Sequence, residues 1–234
     1  MNEMNDKICI VTGSNSGIGK ETALALAEMG ATVVMAVRDA EKGENARAEI
    51  LEQTGNTKTD LMICDLASVD SIRQFAGNFT EKYDRLDVLI NNAGCTIHKR
   101  QVTVDGFERT LAVNYLGPFL LTHELLPTLK SSAPSRVINL TSGIHFRAKV
   151  DFDDLQKERK YKAMDAYGDA KLMVVMYTYE LARQLEGTGV SVNVVHPGFA
   201  ATNMGSNMGA LRYKILFKLI RPLQISAKKG AETS

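Results

Sequence analysis

Residues 7–19 read KICIVTGSNSGIG: a short apolar run, Lys7–Thr12, breaks at once into Gly13-Ser14-Asn15-Ser16-Gly17-Ile18-Gly19. Helical spacing of apolar residues then runs over Gly17–Met29, and Gly30 follows as a helix stop should. Small residues let the backbone turn tightly and approach a pyrophosphate, whose charge the helix N-terminus favours. The spacing is G-x-x-x-G-x-G rather than G-x-G-x-x-G, so the turn alone is compatible with a plain tight loop. Its place directly between strand and helix favours a nucleotide site.

Outward from this unit, strand patterns recur at Thr32–Val37, Thr59–Asp65, Leu86–Asn91, Arg136–Leu140 and Val190–His196. Several are nearly continuous apolar runs, as expected of parallel strands covered on both faces. Helical patterns separate them, Ser68–Glu81 among them with Ser68 as N-cap. Sustained strand–helix alternation predicts an α/β fold with a doubly wound parallel sheet of Rossmann type. No repeat, low-complexity tract or linker divides the chain, so residues 1–234 are expected to form a single domain.

The 234 residues are 44% hydrophobic and 24% charged, which excludes wholesale disorder. Lys+Arg 28 against Asp+Glu 27 leaves a net charge of +1, with no electrostatic footprint for nucleic acid or an anionic membrane. Cys9, Cys64 and Cys95 fit no zinc spacing or disulfide framework, and His98, His123, His145 and His196 are scattered, so no metal is expected. With no signal pattern and no apolar run near the ~20 residues of a membrane span, the expectation is a soluble, cytoplasmic protein.

The second strand pattern ends Val37-Arg38-Asp39, with Arg38 placed 19 residues after Gly19. An acidic residue commonly meets the adenosine ribose at this point in NAD sites. Val37 accepts no hydrogen bond from a ribose hydroxyl, whereas a guanidinium suits a 2′-phosphate. Arg38 therefore argues for NADP over NAD. A solvated strand-end arginine is the alternative, and Asp39 could still take the hydroxyl or pair with Arg38.

Four segments in order carry a resemblance: TGSNSGIG at 12–19, NNAG at 91–94, YGDAK at 167–171 and HPG at 196–198. Together they resemble the short-chain dehydrogenase/reductase family, from about Lys7 to the end of the chain. GIGKETA, the VRD strand end, DGFE and GTGV are similar to its retinol-dehydrogenase-like branch. Tyr167 and Lys171, four residues apart, share one helical face. A phenol titrates near ~10, too high for a neutral-pH base, but an ammonium and an oxidised nicotinamide beside it favour the phenolate. Run in reverse, the pair protonates a carbonyl oxygen.

Ser142 follows the strand Arg136–Leu140 at its carboxyl end, where its hydroxyl could bond the substrate oxygen; Thr141 competes, and the resemblance assigns the role to Ser142. The resemblance also makes Asn114 the fourth active-site member; read alone, it is a mid-helix asparagine bonded to backbone. It further implies that Asp65 and Leu66 hold adenine, Asn92, Ala93 and Gly94 the adenosine ribose, and Pro197, Gly198 and Thr202 the nicotinamide end. For Asp65 the plainer reading is a cap on the following helix, and for Pro197-Gly198 a turn. Cys95 reads as a small packed thiol.

The 25-residue interval from Ser142 to Tyr167 predicts a loop beside the substrate pocket. Gly168-Asp169-Ala170 departs from the branch's usual triplet, which leaves the catalytic pair intact but weakens the case for a retinoid. Residues 199–225 lie where the family carries its substrate lid, though a core-packed amphipathic helix fits them equally and membrane contact is the lesser reading. A further helix and edge strand are expected after this point, and Ser226–Ser234 reads as that helix's first turns; a homo-oligomer often uses them. The expected activity is hydride transfer between NADP and an apolar aldehyde, ketone or alcohol, retinoid- or steroid-like. A non-catalytic nucleotide sensor is the alternative, although it has little reason to keep Ser142, Tyr167 and Lys171 together. A sugar epimerase or dehydratase would need a larger C-terminal domain.

Overall fold

A computed structural model describes residues 4–198 and 227–231. Six parallel strands, β1 (Ile8–Thr12), β2 (Thr32–Val37), β3 (Thr59–Ile63), β4 (Val88–Asn91), β5 (Ser135–Leu140) and β6 (Val190–Val195), lie in the order β3-β2-β1-β4-β5-β6. The helices are α1 (Gly17–Glu28), α2 (Ala40–Thr54), α3 (Val69–Lys82), the short α4 (Arg109–Leu111), α5 (Gly117–Ser131), α6 (Ala163–Gln184) and α7 (Ala227–Ala231). A π-helical turn, Ala112–Leu116, joins α4 to α5, and a 3₁₀ turn, Gly143–Arg147, follows β5.

The continuous apolar runs are explained by helices on both faces of the sheet. Ile10, Val34, Ala36, Leu89 and Val137 turn to one side and meet Phe75 and Phe79 of α3 and Leu121, Leu125 and Leu129 of α5. Their neighbours Cys9, Val11, Val33, Met35 and Ile90 turn to the other and meet Ala23 and Ala27 of α1 and Ala46 and Ile50 of α2. The doubly wound architecture is as the sequence predicts. Strand order reverses between β1 and β4, which opens a crevice at their carboxyl ends.

Element boundaries differ from the sequence expectation by a residue or two. Leu86 and Asp87 precede β4, and the buried Asp87 carboxylate accepts from Ile8 N at 2.9 Å and pairs with Lys7 (2.9 Å) and Arg85 (2.6 Å). Its side chain pins the entry to β1, while its backbone N–H donates to the Ile8 carbonyl and its carbonyl accepts from Arg136 N, each at 2.9 Å. Ser68 is the N-cap of α3, its hydroxyl accepting from Ser71 N at 3.3 Å. The 199–225 segment and Thr202 lie outside the described residues, and α7 falls within the expected helical 226–234. Among the described residues no helix is long and apolar enough to cross a membrane.

Candidate active site

A cleft of about 1340 Å³ opens at the carboxyl ends of β1, β2, β4, β5 and β6. Its floor on the β1 side is the glycine turn. Gly13 and Gly17 have φ of +65° and +58°, which side-chain-bearing residues rarely adopt. A Cβ on Gly19 would collide with Asn92 Nδ2 and stand 2.6 Å from the Gly13 carbonyl oxygen. Gly13, Asn15, Ser16, Gly17, Ile18 and Gly19 line the cleft. Ser14 is instead fully buried beneath it, with a hydroxyl that has no partner among the described residues. Ser16 caps α1 with no side-chain hydrogen bond, so the helix's first N–H groups are left for an anion. These features fit a dinucleotide pyrophosphate.

Asn92 turns inward, donating through Nδ2 to the Thr12 carbonyl at 2.7 Å. Thr12 Oγ1 in turn accepts from Asn92 N and Ala93 N, each at 3.0 Å. The Asn92 side chain therefore staples the β4 exit to the glycine turn, whatever its backbone offers a ribose. Sequence reasoning had overlooked Thr12, although its place directly before Gly13 was the available signal.

Arg38 and Asp39 both line the cleft at the end of β2. Asp39 pairs with Lys42 at 2.6 Å and caps α2 by accepting from Lys42 N at 3.1 Å, so it does not pair with Arg38. Its hydrogen bonds from Lys42 lower its pKa. Arg38 is exposed, and no hydrogen bond or ion pair among the described residues engages its guanidinium. Asp65 and Leu66 line the same end. The Asp65 carboxylate accepts from Ala67 N at 3.0 Å, while the cap of α3 is Ser68.

At the other end, α6 brings Tyr167 and Lys171 to the cleft opposite Ser142. Lys171 is 3% exposed and donates from Nζ to the Leu140 carbonyl at 2.8 Å. Its ammonium stands 5.9 Å from the centroid of the Tyr167 ring. Burial pulls the lysine down to about 8, against a weaker opposing pull from the Cys95 side. Burial also pushes Tyr167 up to about 12, while a hydrogen bond from Ser142 works the other way. At neutral pH Tyr167 is thus a protonated phenol beside a charged lysine: a proton donor with a cation ready for the phenolate it leaves.

Thr141 is not an equivalent of Ser142, because its hydroxyl is committed to the Lys171 carbonyl at 2.9 Å. The half-buried Ser142 lines the cleft. Asn114 sits behind the cleft wall rather than on it. Its Oδ1 accepts from Cys95 N at 3.2 Å, and its Nδ2 donates to the carbonyls of Cys95 (2.8 Å) and Thr110 (2.7 Å). The backbone-bonded reading of Asn114 therefore holds for its side chain, in the π turn where the helix ladder is already disturbed. A Cβ on Gly94 would lie 2.9 Å from Asn114 Oδ1 and 3.5 Å from Lys171 Nζ, so only glycine lets this strand exit run so close to both. Burial pushes the Cys95 thiol up to about 11, which keeps it an uncharged packing group. Pro197 and Gly198, with φ +77° at Gly198, close the cleft after β6.

The wall beyond Ser142 is the 3₁₀ turn followed by an irregular stretch, residues 148–162, the loop that the sequence predicts. Two residues that sequence reasoning missed hold this side together. Glu108, 1% exposed, caps α4 by accepting from Thr110 N (2.8 Å) and Leu111 N (2.7 Å). Tyr161 donates to the Ile97 carbonyl at 2.8 Å and lies 3.1 Å from Thr110 Oγ1. Glutamate is not a favoured cap and the partners are 51–64 residues apart, so no local pattern announces them.

A family model described as short chain dehydrogenase matches residues 7–211. The chain is 50% identical over 204 residues to retinol dehydrogenase 13 of Homo sapiens, covering 87% of this chain and 62% of that protein. It is 45% identical over 228 residues to retinol dehydrogenase 12 of Mus musculus, covering 97% and 72%. The chain thus spans less than two thirds of the length of the first of these relatives. Among solved structures, the Pseudomonas aeruginosa RhlG/NADP active-site complex superimposes with a TM-score of 0.78 at 27% identity, over 99% of this chain and 88% of that one. An uncharacterized protein from Mycobacterium paratuberculosis gives 0.76 at 34%, over 98% and 75%.

Proposed function

The chain belongs to the short-chain dehydrogenase/reductase family, in its retinol-dehydrogenase-like branch, and on that premise we propose that it is an NADP-dependent oxidoreductase. Its substrate is an apolar aldehyde, ketone or alcohol, and the relatives' names direct the first choice to retinoids. The observation that carries this reading is the convergence of Ser142, Tyr167 and Lys171 on one cleft that also holds the glycine turn. The names of solved relatives with NADP support the cofactor class, and the unengaged Arg38 guanidinium supports the 2′-phosphate. With Asp39 neutralised by Lys42, no bare carboxylate opposes that phosphate at the end of β2.

Nicotinamide, when bound, supplies or accepts the hydride at the substrate carbon. In reduction Tyr167 gives its proton to the carbonyl oxygen, and Ser142 donates a hydrogen bond to the same oxygen as charge builds there. Lys171 stabilises the phenolate left behind, and solvent reprotonates it. In oxidation the same residues run backwards: Tyr167 first gives its proton to solvent, a loss that Lys171 and an oxidised nicotinamide would favour, and the phenolate then takes the alcohol proton. Asn114 fixes the Gly94–Cys95 exit against Lys171.

The test is NADPH oxidation with a panel of aldehydes and ketones that includes retinaldehyde. The wild-type chain should turn over at least one, and Tyr167→Phe should lose about 10²–10⁴-fold in kcat while still binding NADPH. If both bind NADPH and both are inert, the chain is a nucleotide-responsive regulator instead.

A further inference from the structure

Asp169 lies between Tyr167 and Lys171 on α6 and is 6% exposed, yet neither the cofactor end nor the proton chemistry uses it. Its two oxygens face away from the catalytic pair toward the loop. Oδ2 meets Lys157 Nζ at 2.6 Å, with the lysine side chain 14% exposed. Oδ1 accepts from Lys149 N at 3.2 Å. A buried carboxylate held by one ammonium and one backbone N–H is a fixed point, because losing either partner leaves an uncompensated charge in a poorly solvated place. Lys157 has φ +52°, a left-handed conformation that residues with a Cβ adopt only when the surroundings hold them there.

What Asp169 fixes is the substrate side of the cleft. Lys149 stands two residues after the 3₁₀ turn Gly143–Arg147, whose Ile144 and Arg147 line the cleft and whose N-cap is Ser142. The turn packs on α6 beside Asp169: a Cβ on Gly168 would stand in ordinary contact with it, 3.4 Å from Ile144 Cγ1 and 3.5 Å from Ala148 Cβ. The far side of the loop is tied independently, by Arg100 Nε to the Gln156 carbonyl at 3.0 Å, Glu108 N to Gln156 Oε1 at 2.9 Å, and Tyr161 to Ile97. Among these ties, the Asp169 contacts are the ones that reach the helix carrying the proton donor.

We infer that Asp169 is a positioning residue: clamped by Lys157 and Lys149 N, it sets how the Ser142–Arg147 wall stands against Tyr167 and thereby sets substrate affinity. This rests on the oxidoreductase reading for its effect on turnover, but the clamp itself does not. Asp169→Asn keeps an acceptor for Lys149 N and strands the Lys157 ammonium; Lys157→Met strands the carboxylate; the double variant removes both charges.

Two measurements on the full chain test it. Hydrogen exchange of peptides covering residues 143–162 should quicken at least about tenfold in Asp169→Asn, with peptides over β1 and α1 unchanged. In steady-state assays with the best aldehyde of the panel, KM should rise at least about fivefold, while kcat and the NADPH Kd stay within about twofold. The double variant should recover at least half of the lost kcat/KM. A merely structural role would instead lower kcat with the folded fraction and leave KM alone, and that result, or unchanged exchange in 143–162, overturns the inference. A wild-type chain silent on every carbonyl would sink the oxidoreductase reading, and the exchange result would still decide the clamp.

Discussion

Replacing Lys171 by methionine should make the protein more stable at neutral pH while removing its activity. The lysine is nearly fully buried, and burial pulls its pKa from 10.5 to about 8. Keeping it protonated in the fold at about pH 7 therefore costs on the order of 3 kcal/mol relative to the unfolded chain, at ~1.4 kcal/mol per tenfold. Methionine has nearly the same length and no charge, so it removes that cost. It also removes the 2.8 Å hydrogen bond from Nζ to the Leu140 carbonyl, a loss of about 2 kcal/mol for a charged donor. The net is about 1 kcal/mol in favour of the variant, or roughly 2–4 °C in Tm for a chain of this size.

The sign depends on pH. Because the folded pKa lies below the unfolded one, the unfolded chain binds more protons between about 8 and 10.5, and wild-type stability gains on the variant through that window. Near pH 10 the charging cost has mostly gone and the folded lysine is a neutral amine whose hydrogen bond to the Leu140 carbonyl is worth about 1 kcal/mol, so the variant's advantage should have vanished. Thermal melts of both proteins at several pH values from 7 to 10 measure this directly. A Tm difference that stays flat over that range, or a variant already less stable at pH 7, would refute the claim that Lys171 is a desolvated, marginally charged lysine.

Changing Arg38 to Ala should weaken NADPH binding about tenfold or more and NADH binding little; equal losses in a fluorescence titration would remove the 2′-phosphate assignment. Gly19→Ala should fold but lose dinucleotide affinity severely, since the new Cβ meets Asn92 and the Gly13 carbonyl; calorimetric binding of NADPH at wild-type strength would contradict the close approach. Tyr161→Phe leaves the Ile97 carbonyl without its donor and should cost about 1–2 kcal/mol in urea unfolding; no change in midpoint would mean that this bond holds nothing.

Much of the cofactor half was legible because it is local. The glycine turn, the strand before it and the helix after it are contiguous, and Ser68 announces its helix from one position away. The sheet was legible through the near-continuous apolar runs that two-sided burial demands. Side-chain partnerships were not. Asp39 read equally as a ribose acceptor or a partner for Arg38, and the choice of Lys42 depends on how α2 leaves the strand. Asn92 and Asn114 were placed at the site by resemblance, but their side chains bond to backbone 80 and 19 residues away. The polar layer in which Asn91 donates to Thr122 and Asn139, and Asn139 to Thr178, crosses four elements and leaves no periodic trace. The Lys157–Asp169 pair is invisible for the same reason, although the unusual triplet at 168–170 marked where to look.

A chain that moves a hydride onto a substrate carbon, while Tyr167 supplies the proton to its oxygen, leaves the reductant's label on that carbon. Mass spectrometry of the product formed from an aldehyde and NADPH carrying deuterium at the transferred C4 position tests it most directly. Wild-type protein should place one deuterium on the carbinol carbon, and Tyr167→Phe should form alcohol about 10²–10⁴-fold more slowly at equal cofactor occupancy. Labelled alcohol formed equally fast by the Tyr167→Phe chain, or none formed by wild type from any carbonyl in the panel, would contradict it.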